Sequence, residues 1–214
     1  MGVALLFSLG TIVLGALFWA WFLRSQDRAE PESWFDLAKL LILGVGLALY
    51  IPYVHANVAK YLFPGVDIGT LIFSGTDVFE TIRVLAFCTF AAVEEIGKGL
   101  VLWLFAYHKR VFNQIGDGVM YGAMVALGFS VVENLGYLGL FLSSGFGDVV
   151  VRGTMVRTIA TTLLHITTSG LLGYGLARTK FLDVRRTAVF GCMLLVLSPC
   201  IPSLIFFHCL AMNM

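Results

Sequence analysis

Apolar residues in this chain gather into long blocks instead of alternating or recurring at every third or fourth position. Six blocks stand out, over roughly 3–23, 36–56, 82–106, 116–142, 153–177 and 187–211. A helix of about 20 mostly apolar residues crosses the hydrocarbon core of a bilayer. In lipid every backbone N–H and C=O must find its partner within the protein, so such a block is a helix or belongs to a closed barrel. Barrel strands are about 10 residues long and alternate strictly, which none of these blocks does. The pattern predicts an all-α integral membrane protein, a bundle of about six transmembrane helices in one polytopic domain over 1–214. Connections are short apart from about 25 residues between the second and third blocks. There Phe63-Pro64-Gly65 and Phe73-Ser74-Gly75 read as turns. If 57–81 is itself embedded in the membrane, seven or eight helical segments are expected.

Composition agrees. The chain is 59% hydrophobic and 13% charged, with a mean hydropathy of +0.91, against about 45–50% apolar and about 25% charged in a soluble domain. A net charge of +1 leaves no basic footprint for nucleic acid. Cys88, Cys192, Cys200 and Cys209 all fall in predicted spans without a Cys-x-x-Cys pair, so they read as small apolar packing residues. The first block lacks a basic leader and a small-x-small cleavage site, so it reads as a retained span. Lysines and arginines near span ends favour the odd-numbered connections by nine to four, which puts those loops in the cytoplasm and both termini outside.

Several ionisable residues sit deep in these blocks. Glu94, Glu95 and Lys98 occupy the middle of the third. Each charge at helix-centre depth costs about 2.5–3.5 kcal/mol on insertion scales, so these three must face the bundle interior or a wet cavity. Glu94 and Lys98 are i,i+4 neighbours on one face, and Glu95 lies about 100° around the helix. Two carboxyl groups beside one lysine can hold different protonation states, which acid–base chemistry requires; the plainer reading is an ion pair that locks helices. Glu133 and Asn134 lie deep in the fourth block, behind Asp117, a suitable helix cap, and Gly118, Gly122 and Gly128, which permit close helix approach. Arg157, Thr161, His165 and Thr168 lie in the fifth. The threonines either orient His165 or bond back to helix carbonyls. The sixth block holds Pro199, Pro202 and His208. Counting from the outer surface, Glu95, Glu133, His165 and His208 fall between the outer interface and the midplane, so four helices can offer them at overlapping depth.

These motifs resemble those of the PrsW family of intramembrane proteases, distant relatives of the CAAX prenyl endopeptidases. The matching pieces are Glu94-Glu95-x-x-Lys98, Asp117-Gly-x-x-Tyr-Gly, Gly128-Phe-x-x-x-Glu133-Asn134, Arg157 with His165 eight residues on, Gly170-x-x-Gly-Tyr-Gly, and a histidine preceded by proline in the last span. The likeness covers roughly 85–210 and keeps motif order. It implies an endopeptidase that cuts a single-span, membrane-anchored protein, an anti-sigma factor being the best known substrate class, on the outer side of the bilayer. It also implies that Glu94, Glu95, Glu133, His165 and His208 are catalytic, with Lys98, Asn134 and Arg157 supporting. The last motif departs from the family pattern: Asn213 stands five residues after His208, where an aspartate or asparagine at three or four is usual.

The expected mechanism is hydrolysis by a carboxylate-activated water with no cofactor. Glu94 or Glu95 is the base, Glu133 helps hold the water, and His165 and His208 stabilise the oxyanion or protonate the amine. Two rivals stand beside it. Glu95, Glu133, His165 and His208 are a sufficient ligand set for zinc, although no His-Glu-x-x-His helix is present. A small proton- or ion-coupled transporter would use the same carboxylates as a relay, although no internal repeat is visible.

Overall fold

The computed structural model describes residues 1–27, 30–66, 80–143 and 145–181. All regular structure among them is helical: α1 Gly2–Gln26, α2 Trp34–Leu62, α3 Glu80–Leu102, α4 Ile115–Ser143, α5 Gly147–Val156 and α6 Thr162–Phe181. A π-helical turn, Trp103–Tyr107, prolongs α3. A second one, Arg157–Thr161, joins α5 to α6, so that Gly147–Phe181 is one 35-residue rod. Five of the six expected spans thus appear, their ends within about six residues of the sequence boundaries. The sixth block, with Cys192, Cys200, Cys209, Pro199, Pro202, His208 and Asn213, lies outside the described residues, as does the Phe73-Ser74-Gly75 turn. The Phe63–Gly65 turn is present: Val66 N–H bonds Phe63 O at 3.2 Å and Gly65 takes a φ of 79°.

Among the described residues four helices, α1, α2, α4 and the α5–α6 rod, are long and apolar enough to cross a membrane. α3 has the length but carries Glu94, Glu95 and Lys98 in its second half, which lowers its hydropathy. Its partners in the bundle, not lipid, accommodate those charges. The outer faces of α1 and α2 are apolar and exposed, with Leu6, Leu14, Leu17, Trp21, Ile42 and Leu49 pointing outward, as expected of surfaces that meet lipid tails.

The bundle closes on α4. Nearly every residue from Asp117 to Ser130 is buried, and Tyr121, Val125 and Leu127 centre the main core with Leu37 and Leu40 of α2 and Leu102 of α3. Small residues set how near the neighbours come, since lipid tails provide no hydrophobic drive between helices. A Cβ on Gly118 or Gly122 would run into the backbone of Gly173 or Ser169 of α6, and one on Gly44 of α2 into the carbonyl of Val125. Gly128 lies equally tight against Leu41. The expected role of Gly118, Gly122 and Gly128 therefore holds, and their spacing clamps α4 between α2 and α6.

Helix ends are finished by local bonds. Asp117 Oδ2 accepts from the backbone N–H of Asn113 (2.7 Å) and Gln114 (2.8 Å), the cap expected of it. Ser33 caps α2 through the Asp36 N–H at 3.1 Å. Lys180 Nζ donates to the carbonyls of Tyr107 and Phe112 at 2.6 and 2.7 Å, tying the end of α6 to the connection that follows α3. In the loop ahead of α2, burial raises the Glu32 carboxyl above its usual range; a bond from the Tyr121 hydroxyl works against this, and Asp117 and Asp27 add to it.

Two outcomes follow for protein in detergent. Gly122→Ala forces a methyl into the α6 backbone and should cost about 1–3 kcal/mol. Gly136→Ala, with open space around it, should be neutral or gain up to about 1 kcal/mol from helix propensity; thermal unfolding measures both. A raised folded-state value means that Glu32 adds stability below its ordinary 4.5 and loses it as pH rises through the raised value. The unfolding midpoint should therefore drop over that window in wild type and drop less in Glu32→Gln.

Candidate functional site

Glu94 and Glu95 are consecutive, so α3 directs them about 100° apart. Glu95 turns into the bundle and has both oxygens occupied. Lys98 Nζ donates to its Oε1 at 2.6 Å and Ser169 Oγ of α6 to its Oε2 at 2.8 Å. Lys98 is 1% exposed and reaches across to His165, its Nζ 2.9 Å from the ring Nδ1. The opposite ring nitrogen, Nε2, lies 2.8 Å from Glu133 Oε2 of α4, and Arg157 Nη2 lies 3.0 Å from that same oxygen. Six side chains from α3, α4 and the α5–α6 rod thus form one continuous polar chain inside the bundle.

The donors in this chain fix its proton positions. An ammonium has three donors and no acceptor, so His165 Nδ1 accepts from Lys98. The neutral ring then carries its proton on Nε2 and donates to Glu133. Phe129 of α4 closes one side, with its ring 4.2 Å from Lys98 Nζ and 5.5 Å from the His165 ring. The cation–π contact holds the ammonium where water is scarce. Arg157 is backed by Tyr137, whose ring centre lies 3.4 Å from the guanidinium carbon. Asn134, beside Glu133, donates through Nδ2 to Thr162 Oγ1 at 3.1 Å and so braces α4 against α6.

The sequence-predicted residues therefore converge. Glu95, Glu133 and His165 come from three helices and share one network, with Lys98 and Arg157 as its fixed cations. Glu94 lies at its edge. Its nearest described ionic neighbour is His55 of α2, with Nε2 3.7 Å from Glu94 Oε1. His208 lies outside the described residues. Of the two threonines flanking His165, Thr168 follows the plainer reading and bonds back to His165 O at 3.2 Å.

His55 is a member that the sequence reading passed over. It follows Tyr50, Pro52 and Tyr53 at the end of the second block with no acidic residue near it in sequence. Depth was the available signal. It lies seven residues before the end of α2, in the half of the bundle that holds Glu133, which lies ten before the end of α4.

Imidazole and carboxylates are the right chemical types for zinc. A zinc-bound histidine, however, donates its other N–H to an acceptor. Here the other nitrogen of His165 faces the donor Lys98, both Glu95 oxygens are occupied, and Arg157 lies on Glu133. The described donors do not match a zinc site in this arrangement.

A model described as the PrsW family intramembrane metalloprotease matches residues 32–205. The "Protease PrsW" of Shouchella clausii is 29% identical over 199 residues, covering 91% of this chain and 80% of that protein. That of Geobacillus kaustophilus is 27% identical over 174 residues, covering 80% and 65%, and that of Clostridioides difficile 26% over 172 residues, covering 79% and 63%. This chain thus spans just under two thirds of the length of the latter two. No solved structure matches. With the family match running from the start of α2 through every motif of the network, the chain belongs to the PrsW family.

Proposed function

We propose that this chain is an intramembrane endopeptidase that hydrolyses a peptide bond of a single-span, membrane-anchored protein, with Glu94 as the general base. One observation carries the assignment of the base. Of the three carboxylates, Glu95 has both oxygens hydrogen-bonded and Glu133 is gripped by Arg157 and His165. Glu94, 15% exposed at its side chain, has the more distant His55 as its described ion-pair contact, while the charges of Glu133, Lys98, His165 and Glu95 also act on it. A base needs an oxygen free to take a proton from water, and Glu95 lacks one.

Each held group then has a task. Glu133 is close enough to Glu94 for the two carboxylates to act on each other and helps hold the water between them. His165, with its proton on Nε2, is a donor to the oxyanion that forms when water attacks the carbonyl. Lys98 keeps that proton on Nε2, and Arg157 with Asn134 holds Glu133 and the rod in register. The substrate lies alongside the bundle and is recognised through its own span; an anti-sigma-factor-like protein cut near the outer leaflet, with both termini of the enzyme outside, fits this reading. Likeness to PrsW proteases favours hydrolysis over ion-coupled transport.

The family description names a metal, and zinc bound by Glu95, Glu133, His165 and His208 would supply a Lewis acid and an activated water. The bond from Lys98 to His165 Nδ1 supports the metal-free reading, because it leaves the ring no proton to donate behind a bound ion. Metal analysis of purified, active protein and incubation with a strong chelator separate the two. Activity should survive chelation, and its loss with recovery on added zinc would reverse the assignment.

Substitutions test the division of roles, read with a quenched-fluorescent single-span peptide in proteoliposomes. Glu94→Gln should lower kcat by about 10²–10⁴-fold and leave the unfolding midpoint in place. Glu95→Gln should lose activity together with stability, because Lys98 is then left without its carboxylate. Lys98→Met should do the same and also move the His165 ring proton, seen as a changed ¹⁵N tautomer signature. Glu94→Gln with full activity beside an inactive but stable Glu95→Gln would move the base to Glu95.

A further inference from the structure

A neutral His165 that accepts from Lys98 at Nδ1 has one proton, on Nε2, and with that proton committed to the oxyanion the reaction needs another acid. His55 meets the description. Its ring packs against Phe90 of α3, with centroids 4.7 Å apart, and the Phe90 backbone lies within hydrogen-bonding reach of it. Its Nε2 is buried and has no hydrogen-bond partner among the described residues. A buried ring nitrogen without a partner calls for an explanation. This one points at Glu94 Oε1 from 3.7 Å, and side-chain movement of under about 1 Å brings the pair to an ordinary N···O hydrogen bond.

We propose that His55 is the general acid of the reaction, recharged by Glu94; the proposal rests on Glu94 being the base. Glu94 takes one proton from the attacking water as the water oxygen bonds to the carbonyl carbon and the C=O π pair moves onto oxygen. Glu94 passes that proton to His55 Nε2. When the C–N bond breaks and its electron pair stays on nitrogen, His55 gives the proton to the amine. Water thereby ends as a hydroxyl on the acyl product and a hydrogen on the amine, and both residues return to their starting states. His165 is left to its single task at the oxyanion.

The test separates proton donation from packing by changing the leaving group. The probe is a single-span peptide that the wild-type protein cleaves, made once with the scissile amide and once with a thioester there. A thiolate departs without a proton; an amine does not. His55→Gln should slow the amide by about 10²-fold or more and the thioester by less than about threefold, whereas Glu94→Gln should slow both. If His55 only packs against Phe90, both substrates slow alike, and if it is idle neither does; each result overturns the proposal. If both probes survive Glu94→Gln, the base assignment falls with it, which distinguishes the two failures. Wild-type protein supplies a check that needs no variant. The basic limb of the amide pH–rate profile should be missing from the thioester profile, and superimposable profiles would sink the idea. The charged groups around His55 that shape those limbs are Glu94 on α3 and Glu133 on α4, with Lys98 and His165 acting on Glu94 and Arg157 on Glu133.

Discussion

Charge balance in a medium that barely solvates charge is the constraint on which this structure depends. Three carboxylates, Glu94, Glu95 and Glu133, meet two permanent cations, Lys98 and Arg157, inside a bundle whose outer faces are apolar. An isolated charge there costs several kcal/mol, and breaking a buried pair costs about 3–5 kcal/mol by leaving its partner stranded. The geometry answers to this. Lys98 touches a carboxylate, an imidazole and an aromatic face at once, and Arg157 meets Glu133 and the Tyr137 ring. With two cations against three acids, one further proton makes the cluster neutral. A network one proton short of neutral, with Glu94 and His55 as places for that proton, suits the acid–base reaction proposed for this chain.

The small residues matter because such a network tolerates little slack. Gly44, Gly118, Gly122, Gly128 and Gly173 bring α2, α4 and α6 to backbone contact. That contact fixes Glu133 of α4 against His165 of α6 and sets where Ser169 stands. The packing that holds the bundle together and the spacing of the polar chain are therefore one feature seen at two scales.

Much of this was legible in the chain. Hydropathy located five helices to within about six residues, because twenty apolar residues in lipid have almost no alternative to a helix. Glu94, Glu95, Lys98, Glu133 and His165 stood out because each is expensive at its depth. The functions of Gly118 and Asp117 followed from size and position. What stayed hidden were relations between helices. Nothing local to Glu94 and Glu95 tells which one faces inward; Ser169 of α6 decides it. His55 escaped because an imidazole among tyrosines near a helix end has an ordinary explanation until Glu94 is seen beside it.

The pairing of Arg157 with His165 was also illegible by helical-wheel reasoning, for a reason that reaches past this site. Eight residues along a regular α-helix turn through about 800°, leaving two side chains about 80° out of alignment. Yet both reach the same oxygen of Glu133. The wide turn at Arg157–Thr161 absorbs roughly one residue of winding, so the pair behaves as though seven apart and falls back into line. The rod thus works like a ratchet held one notch open: its phase, and not its composition, brings a guanidinium and an imidazole to bear on one carboxylate. Were that turn to wind as a regular α-helix with all its residues kept, every side chain of the site would remain in the sequence and one of the two would still rotate away.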